Sequence, residues 1–456
     1  MKDISLNYSA EQKRQLEELS RSYRDFLNSS KTERECIAEA VRLAEANGYR
    51  KLREGSVCPG DRVYVTSMDK NVAFFHIGEI PLVQGMQILG SHIDSPRLDI
   101  KQRPLYEEGD LAYLDLHYYG GIKKYQWLTI PLAIHGVVVL KSGEKRYVVI
   151  GEDADDPILC ITDLLPHLSD EQLEKNAARF IDGEAMDLLV GSTALPDEEQ
   201  EAVRKHIAQL LQMRYGFTDD VFLSAELAVV PAGHARAAGL DRSMIFAYGH
   251  DDRVCAYASL AALLKQENVT KTACCLLVDK EEIGSVGATG AQASFFCNAL
   301  AELMMALGEY SELSMRRCLR QSMMLSSDVT AGFDPLYASV YDKRSAAMMG
   351  GGINFNKYLG SRGKGGSNDA NPEFVALIRR IMDNAGVRYQ MTELGRVDAG
   401  GGGTIAGLFA RYGMQVIDCG LPVLSMHSPG EIVTKRDLYE TWRGYQVFLQ
   451  NTEEAI

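Results

Sequence analysis

The first part of the chain changes from a helical hydrophobic pattern to short apolar runs. From about residue 10 to 50 the apolar residues recur at helical spacing, and SSKTERECIAEAVRLAEANGY has a Ser/Thr start and an Asn47-Gly48 stop. VYVTSM, VAFFHIG and GMQILGSHIDSPRL (85–98) follow, and the last of these runs ends in a polar cluster. These segments predict helices followed by strands.

From about residue 99 the pattern has a period of two. The segments LAYLDLHYYGG, WLTIPLAIHGVVVL and KRYVVIGE alternate apolar and polar residues, as half-buried antiparallel strands do. Residues 163–213 are more charged, and their pattern is more helical. These patterns therefore predict a β-rich insert at residues 99–234.

After about residue 235, strand and helix patterns alternate again. The strand ACCLLV (273–278) is continuously apolar, which is typical of a buried parallel strand. Further segments predict a helix near 290–306, strands at SMMLSSD and MQVIDCG, and a last helix from Lys435. The fold class predicted is α/β: a mixed, mainly parallel sheet flanked by helices, formed by residues 1–98 and 235–456 and interrupted by the insert.

Composition narrows the function classes. The chain has 456 residues, enough for two or three domains, and its net charge of −14 without a basic run argues against nucleic-acid binding. No apolar stretch reaches the ~18 residues that span a membrane. The N-terminal segment MKDISLNYSAEQKRQLEELS has no signal-peptide core and the pattern of an amphipathic helix. Nine scattered cysteines without C-x-x-C favour reduced thiols in a cytoplasmic protein.

The segment LLVDKEEIGSVGATG places two adjacent acids, Glu281 and Glu282, after the strand at 273–278. Gly284 and Gly287 argue against a helix here. In an open α/β sheet, ligands bind beyond the carboxyl ends of the strands. One carboxylate could bind a metal while the other handles a proton, and a solvated turn with two surface acids is the alternative.

Similar polar residues follow other predicted strands: His92, Asp94, Asp251, Asp252, Asp328 and His427. Imidazole nitrogens and carboxylate oxygens suit divalent metals such as zinc, and two adjacent ions need a bridging carboxylate. Because residues two apart in an extended segment face the same side, Asp94 can orient the ring of His92. The alternatives are a hydrogen-bonded core histidine at 92 and a helix N-cap at 251–252.

Other motifs point to no chemistry. The glycine-rich segments DAGGGGTIAG and SRGKGGS lack the P-loop sequence, and GSVGATG is not a dinucleotide fingerprint. No Ser or Cys lies in a nucleophile elbow. His250, His135 and His117 have no recognisable partner spacing, so we expect structural roles for them.

The ordered motifs S-H-I-D-S-P, H-D-D-R, D-K-E-E-I-G-S, S-S-D and S-M-H-S resemble those of the aspartyl aminopeptidase family, that of aminopeptidase I, among the co-catalytic dizinc peptidases. The resemblance covers nearly the whole chain. It implies removal of N-terminal amino acids from peptides with a free N-terminus, by attack of a water that bridges two metals. The ions implied are zinc, with manganese or cobalt as alternatives in one site.

The resemblance also assigns roles by position. It implies that His92 and Asp328 bind one metal, that Glu282 and His427 bind the other, and that Asp251 bridges them. Asp94 is then the orienting residue of His92, and Glu281 the general base. His167 in L-P-H-L matches a histidine that enters the neighbouring subunit's site, and the family assembles as dimers grouped into dodecamers, which implies a homo-oligomer.

The chain departs from the family pattern where the substrate side chain is expected. SSDVTAGFDPLY has Ala331 and Asp334 in place of two histidines, Asn354 takes the place of a lysine, and WLTIPL replaces W-F-D-R-D-L in the insert. The resemblance implies a preference for an N-terminal Asp or Glu, but fewer cations and an added acid disfavour such a side chain, which leaves a neutral or basic N-terminal residue as the alternative. Two other functions stay open: a dimetal deacylase or carboxypeptidase for acylated amino acids, and a catalytically silent self-assembling shell protein.

Overall fold

The computed structural model describes residues 8–453 apart from residues 54, 217, 361 and 362. The first seven residues of the predicted N-terminal amphipathic segment lie outside this part. Within it, ten α-helices are present, numbered α1 to α10 in chain order: Ala10–Asn28, Glu33–Ala46, Asp170–Leu173, Ala202–Tyr215, His250–Leu264, Phe295–Leu307, Glu312–Gln321, Pro372–Asn384, Ala406–Ala410 and Lys435–Leu449.

The same residues form twenty strands, numbered β1 to β20. In chain order they are Arg50–Lys51, Arg62–Ser67, Asn71–His76, Gln87–His92, Arg97–Glu108, Leu111–Tyr119, Leu132–Val139, Lys145–Ile150, Leu188–Gly191, Ala225–Pro231, Arg236–Ala238, Met244–Ala247, Ala273–Val278, Met323–Ser327, Thr330–Ala331, Ile353–Asn356, Tyr389–Thr392, Gln415–Gly420, Pro422–Val423 and Glu431–Thr434.

Contacts divide the chain into two compact units. The larger consists of Met1–Asp94, Ala235–Met426 and Glu431–Ile456, and the smaller of Ser95–His234 and His427–Gly430. That the β-rich insert is a separate domain for dimerisation stays a prediction.

A nine-stranded mixed sheet forms the centre of the larger unit. Its order is β1-β2-β3-β13-β4-β14-β18-β16-β17, and the adjacent strands β13, β4, β14 and β18 run parallel. The pairs β2–β3, β3–β13 and β16–β18 are antiparallel. The predicted fold class, a mainly parallel sheet with helices, is confirmed.

The continuous apolar sequence of β13 follows from burial on both faces of this sheet. Ala273, Cys275 and Leu277 belong to one core with residues of α1, α2, α5, α8 and α10, while the alternate residues Cys274 and Leu276 belong to a second core with α6, α7 and α9. All six residues of β13 are buried. A strand without a polar face is the expected result of helices packed on both sides.

The smaller unit contains a six-stranded antiparallel sheet of order β8-β7-β10-β5-β6-β9. The predicted period-two strands are present as β6, β7 and β8. Residues 163–213 are less helical than predicted, since β9 and irregular turns separate α3 from α4. Most of their charged side chains are exposed. A run of exposed charges occurs in irregular turns as well as in helices, so it did not distinguish the two.

Local signals fix the first helices. Thr32 caps α2 by accepting a hydrogen bond from the backbone nitrogen of Glu35, and the Glu35 carboxylate accepts one from the backbone nitrogen of Thr32. The helix ends at the predicted Asn47-Gly48 stop, where Gly48 has φ +84°. Among the described residues no helix is long and apolar enough to cross a membrane, and all nine cysteines are free.

His76, at the end of β3, predicts a pH-dependent stability. Its side chain is 1% exposed, and burial first, then the Arg62 guanidinium, lowers its pKa to about 4. Because the unfolded chain binds this proton below pH ~6.5, the neutral ring contributes stability above that pH, and the contribution is lost as pH falls towards 4. We expect His76→Phe to reduce the loss of unfolding free energy between pH 7 and 4.5 by about 2 kcal/mol.

Urea unfolding of the metal-free protein at both pH values measures this difference. His234 is exposed, so His234→Gln is the matched control and should retain the wild-type pH dependence. An unchanged pH dependence in His76→Phe would show that other groups dominate.

Candidate metal centre

Three adjacent parallel strands bring the candidate residues to one edge of the central sheet. In the order β13, β4, β14, the middle strand ends at His92, β13 is followed by the Glu281–Glu282 pair, and β14 is followed directly by Asp328. The carboxyl ends of parallel strands meet at the same edge, so residues far apart in sequence become neighbours.

His92 lies at the centre of a group of side chains that could hold a metal ion. The ligand atoms of His92, Asp251 and Asp328 all lie within 4.8 Å of one another. His92 Nε2 is 3.3 Å from Asp251 Oδ1 and 3.8 Å from Asp328 Oδ1. The side chains of His92 and Asp251 are 2% and 5% exposed, and that of Asp328 is 14% exposed.

The other ring nitrogen of His92 contacts Asp94. Nδ1 is 3.0 Å from the Asp94 carbonyl oxygen and 3.2 Å from Asp94 Oδ1. The Asp94 carboxylate also accepts hydrogen bonds from the backbone nitrogens of Glu281 (3.0 Å) and Glu282 (3.1 Å). Asp94 therefore fixes both the imidazole and the turn that carries the two glutamates.

The charges around His92 favour its protonated form. Burial alone would lower the pKa of this imidazole. The carboxylates of Asp251, Asp328 and Asp94 outweigh burial and raise the pKa well above its ordinary value. A proton on His92 thus partly offsets a cluster of buried negative charge.

Asp251 and Asp252 begin α5, and the regular helix starts after them. Both residues have non-helical backbone angles, and the peptide bond between them is cis. The backbone nitrogen of Asp251 donates to Glu431 Oε2 at 3.0 Å, and Asp252 is fully buried. The N-cap of α5 is Gly249.

Asp328 is positioned by a close approach of two strands. Its backbone nitrogen donates to the Cys419 carbonyl oxygen at 2.7 Å, and a Cβ on Gly420 would lie 2.0 Å from the Asp328 carbonyl oxygen. Gly420 is therefore required for β18 to pass the metal-binding edge.

Glu281 is partly buried near the same group. Burial first, then the neighbouring carboxylates against the opposing effect of His92, raises its pKa to about 8. Glu281 lies on a short 3-10 turn, Glu281–Ile283, between left-handed residues Lys280 and Gly284. Burial and the neighbouring carboxylates therefore favour the protonated form of Glu281, and a cation among them would oppose this shift.

The remaining predicted histidines have different surroundings. His427 has φ +64°, and its Nδ1 lies 2.9 Å from the Gly121 carbonyl oxygen. His167 is exposed on the 3-10 turn Pro166–Leu168.

Three further histidines have the structural surroundings expected of them. His250 is buried, its Nδ1 lies 2.7 Å from the Tyr23 hydroxyl, and burial lowers its pKa to about 3. His135 contacts Glu152, and His117 contacts a backbone carbonyl oxygen.

Two residues of the site were not found from the sequence. Glu431, from β20, holds the backbone of Asp251, and Gly420 makes room for Asp328. Neither has a motif of its own, since both act through strand register. Glu431 follows the S-M-H-S motif by only a few residues, which was the one available signal.

The donor set fits zinc. One imidazole nitrogen and two carboxylates converge at a buried point, with Glu281 and Asp94 adding further acidic groups nearby. Like charges at this distance destabilise one another, and a divalent cation among them removes the repulsion. Nitrogen and oxygen ligands of this type are those of catalytic zinc sites.

Comparison with known proteins gives a consistent result. Residues 26–449 match the family described as Aminopeptidase I zinc metalloprotease (M18). The "Probable M18 family aminopeptidase 1" of Clostridium acetobutylicum is 52% identical over 450 residues, 97% of each chain. The crystal structure of an M18-family aminopeptidase from Thermotoga maritima has a TM-score of 0.95 at 41% identity, covering 98% of this chain and 99% of that one.

A more distant similarity concerns the fold alone. The structure of the S. cerevisiae mApe1 dodecamer has a TM-score of 0.76 at 20% identity, and the match covers 94% of this chain and 96% of that one.

Proposed function

The chain belongs to the aminopeptidase I family of zinc metalloproteases, and from this premise we propose that it removes N-terminal residues from peptides at the strand edge around His92. The convergence of His92, Asp251 and Asp328 carries the proposal. Zinc held by these residues would lower the pKa of a water and polarise the scissile carbonyl.

We also propose, from the resemblance to the family, that Glu282 and His427 would hold a second ion and that Asp251 would be the bridging ligand. The contact of His427 Nδ1 with a carbonyl oxygen supports this assignment, because metal-binding histidines usually donate through their other nitrogen.

Glu281 is the proposed general base. It neighbours Glu282 but belongs to neither metal group, so its carboxylate is available to accept the proton of the attacking water. The same group then delivers that proton to the leaving amine. Asp94 supports both roles, since it fixes His92 and the backbone of the glutamate pair.

The expected side-chain preference rests on a neutral cluster beyond Asp328. Asn354, Asn356 and Thr392 are buried and hydrogen-bonded to one another, and Asn356 Nδ2 is 3.4 Å from Thr330 Oγ1, two residues after Asp328. Asn354 pairs with Gly420, which touches Asp328. A cluster of amides and hydroxyls offers no cation to an acidic substrate side chain.

We therefore expect higher kcat/KM for leucyl-, alanyl- or lysyl-anilides than for aspartyl- or glutamyl-anilides. The test measures initial rates on this panel after chelation and re-addition of zinc, manganese or cobalt, with an N-acetylated substrate as control. A preference for Asp or Glu would refute the specificity proposal and leave the activity intact. Cleavage of the acetylated substrate alone would indicate a deacylase, and no turnover with any metal would indicate a silent shell.

We also propose a dimer-based homo-oligomer, a dodecamer as for the yeast protein, in which His167 approaches the site of a neighbouring subunit. The exposure of His167 is compatible with this role. A cytoplasmic location is proposed from the nine free cysteines.

A further inference from the structure

Two residues, Asp279 and Thr289, lie at the two ends of the 280–288 loop between β13 and α6. Asp279, the first residue after β13, is 1% exposed, and its Oδ2 accepts a hydrogen bond from Thr289 Oγ1 at 2.6 Å. The backbone nitrogen of Asp279 donates to the Thr289 carbonyl oxygen at 3.3 Å. The two ends of the segment that carries Glu281 are therefore joined through side chain and backbone.

Between these two residues the loop has no regular element longer than one 3-10 turn. Its conformation depends on individual contacts: the backbone nitrogen of Ser285 donates to the Lys280 carbonyl oxygen at 2.6 Å, and Asp94 accepts from Glu281 and Glu282. A Cβ on Gly290 would lie 2.2 Å from the Ser285 carbonyl oxygen, so the loop packs tightly on itself.

The Thr289–Asp279 hydrogen bond joins two buried groups that are costly to separate. Thr289 is 4% exposed, and the nearby ammonium of Lys70 is 3.9 Å from Asp279 Oδ2. A buried carboxylate that loses a hydroxyl donor must find another or move towards water. Loss of the Thr289 hydroxyl should therefore shift the segment that begins at Asp279.

We propose that Thr289 and Asp279 are positioning residues: their hydrogen bond holds the 280–288 loop so that Glu281 faces the reacting water. This inference rests on the proposed role of Glu281 as the base. Asp94, two residues after β4, fixes the backbone of the glutamate pair, and the Thr289–Asp279 contact fixes the same loop from its two ends.

The first test is Thr289→Val, which replaces the hydroxyl with a methyl group of the same size. We expect kcat to fall about tenfold or more while KM and bound zinc stay near wild type, because a small displacement of a proton-transfer group costs rate and not substrate affinity. Thr289→Ser should restore most of the activity. Asp279→Asn retains an acceptor oxygen and should lose less than Thr289→Val.

Thr272→Val is the matched control. Thr272 is also buried, lies just before the other end of β13, and its hydroxyl accepts a hydrogen bond from the Gly78 backbone nitrogen at 3.0 Å. This variant should lower Tm to a similar extent and leave kcat unchanged.

Hydrogen exchange of the metal-free protein separates failure of this inference from failure of the proposed function. Amides of residues 280–288 should exchange faster in Thr289→Val than in wild type or Thr272→Val. If exchange accelerates but Glu281→Gln is fully active, the loop contact stands and the role of Glu281 is wrong. If Thr289→Val and Thr272→Val give equal kcat and equal exchange, or if serine does not rescue, the positioning role is refuted. Should Thr289→Val fail to fold, Thr289→Ala against Thr289→Ser gives the same comparison.

Discussion

Glu281→Gln is expected to lower kcat by about 10²- to 10⁴-fold, the contribution typical of a general acid–base group. Glutamine keeps the size and the hydrogen-bonding capacity of the side chain but cannot take a proton from the attacking water. The backbone nitrogen that donates to Asp94 is unchanged, so the loop should keep its position. Zinc content and oligomeric state should therefore equal those of the wild type.

Steady-state kinetics together with metal analysis of the purified variant measures this. The neighbouring variant Glu282→Gln is the comparison, because it removes a proposed ligand and should lose zinc as well as activity. Full activity in Glu281→Gln would show that another group accepts the proton. Loss of zinc from Glu281→Gln would show that this residue is itself a ligand.

Asp251→Asn should abolish activity and zinc binding together, since Asp251 lies with His92 and Asp328 in the group that could hold a metal and is the proposed bridging ligand of the second ion. The metal-free variant should also be less stable than the metal-free wild type. The Asp251 carboxylate lies 3.3 Å from the buried His92 ring and is the first of the groups that favour its protonated form, and an amide in its place breaks this buried pair. Added zinc should therefore raise the Tm of the wild type and leave the Tm of the variant unchanged.

Thermal unfolding with chelator and with added zinc tests both parts of this expectation. Asp252→Asn is the matched control: the residue is adjacent and buried, belongs to neither metal group, and burial raises its pKa well above the ordinary value. Its zinc-dependent rise in Tm should persist. Retention of zinc by Asp251→Asn would contradict the bridging role.

The sequence was sufficient to predict the strands that are buried on both faces and the polar residues that follow them. The uninterrupted apolar run at 273–278 could be interpreted because no amphipathic surface element has such a pattern. The two-residue spacing of His92 and Asp94 likewise predicted their contact, which the structure contains. These are local properties, and they survive folding unchanged.

Other features depended on long-range register and could not be read in advance. Asp94 binds the backbone 187 positions away at Glu281, and Glu431 binds that of Asp251 from 180 positions away. Backbone donors have no signature in a sequence, so such contacts appear only when strand pairing is known. The helical prediction was wrong for residues 174–201, because exposed charges are equally common in helices and in irregular turns.

The place of β4 in the central sheet has a consequence for synthesis on the ribosome. Its partners β13 and β14 begin at residues 273 and 323, whereas β4 ends at His92. A nascent chain therefore exposes this strand with both hydrogen-bonding edges open until nearly two hundred further residues have been translated. Open strand edges of this kind promote association between chains. Slow elongation between these points should raise the demand for chaperones, and zinc can be captured only when translation is far advanced.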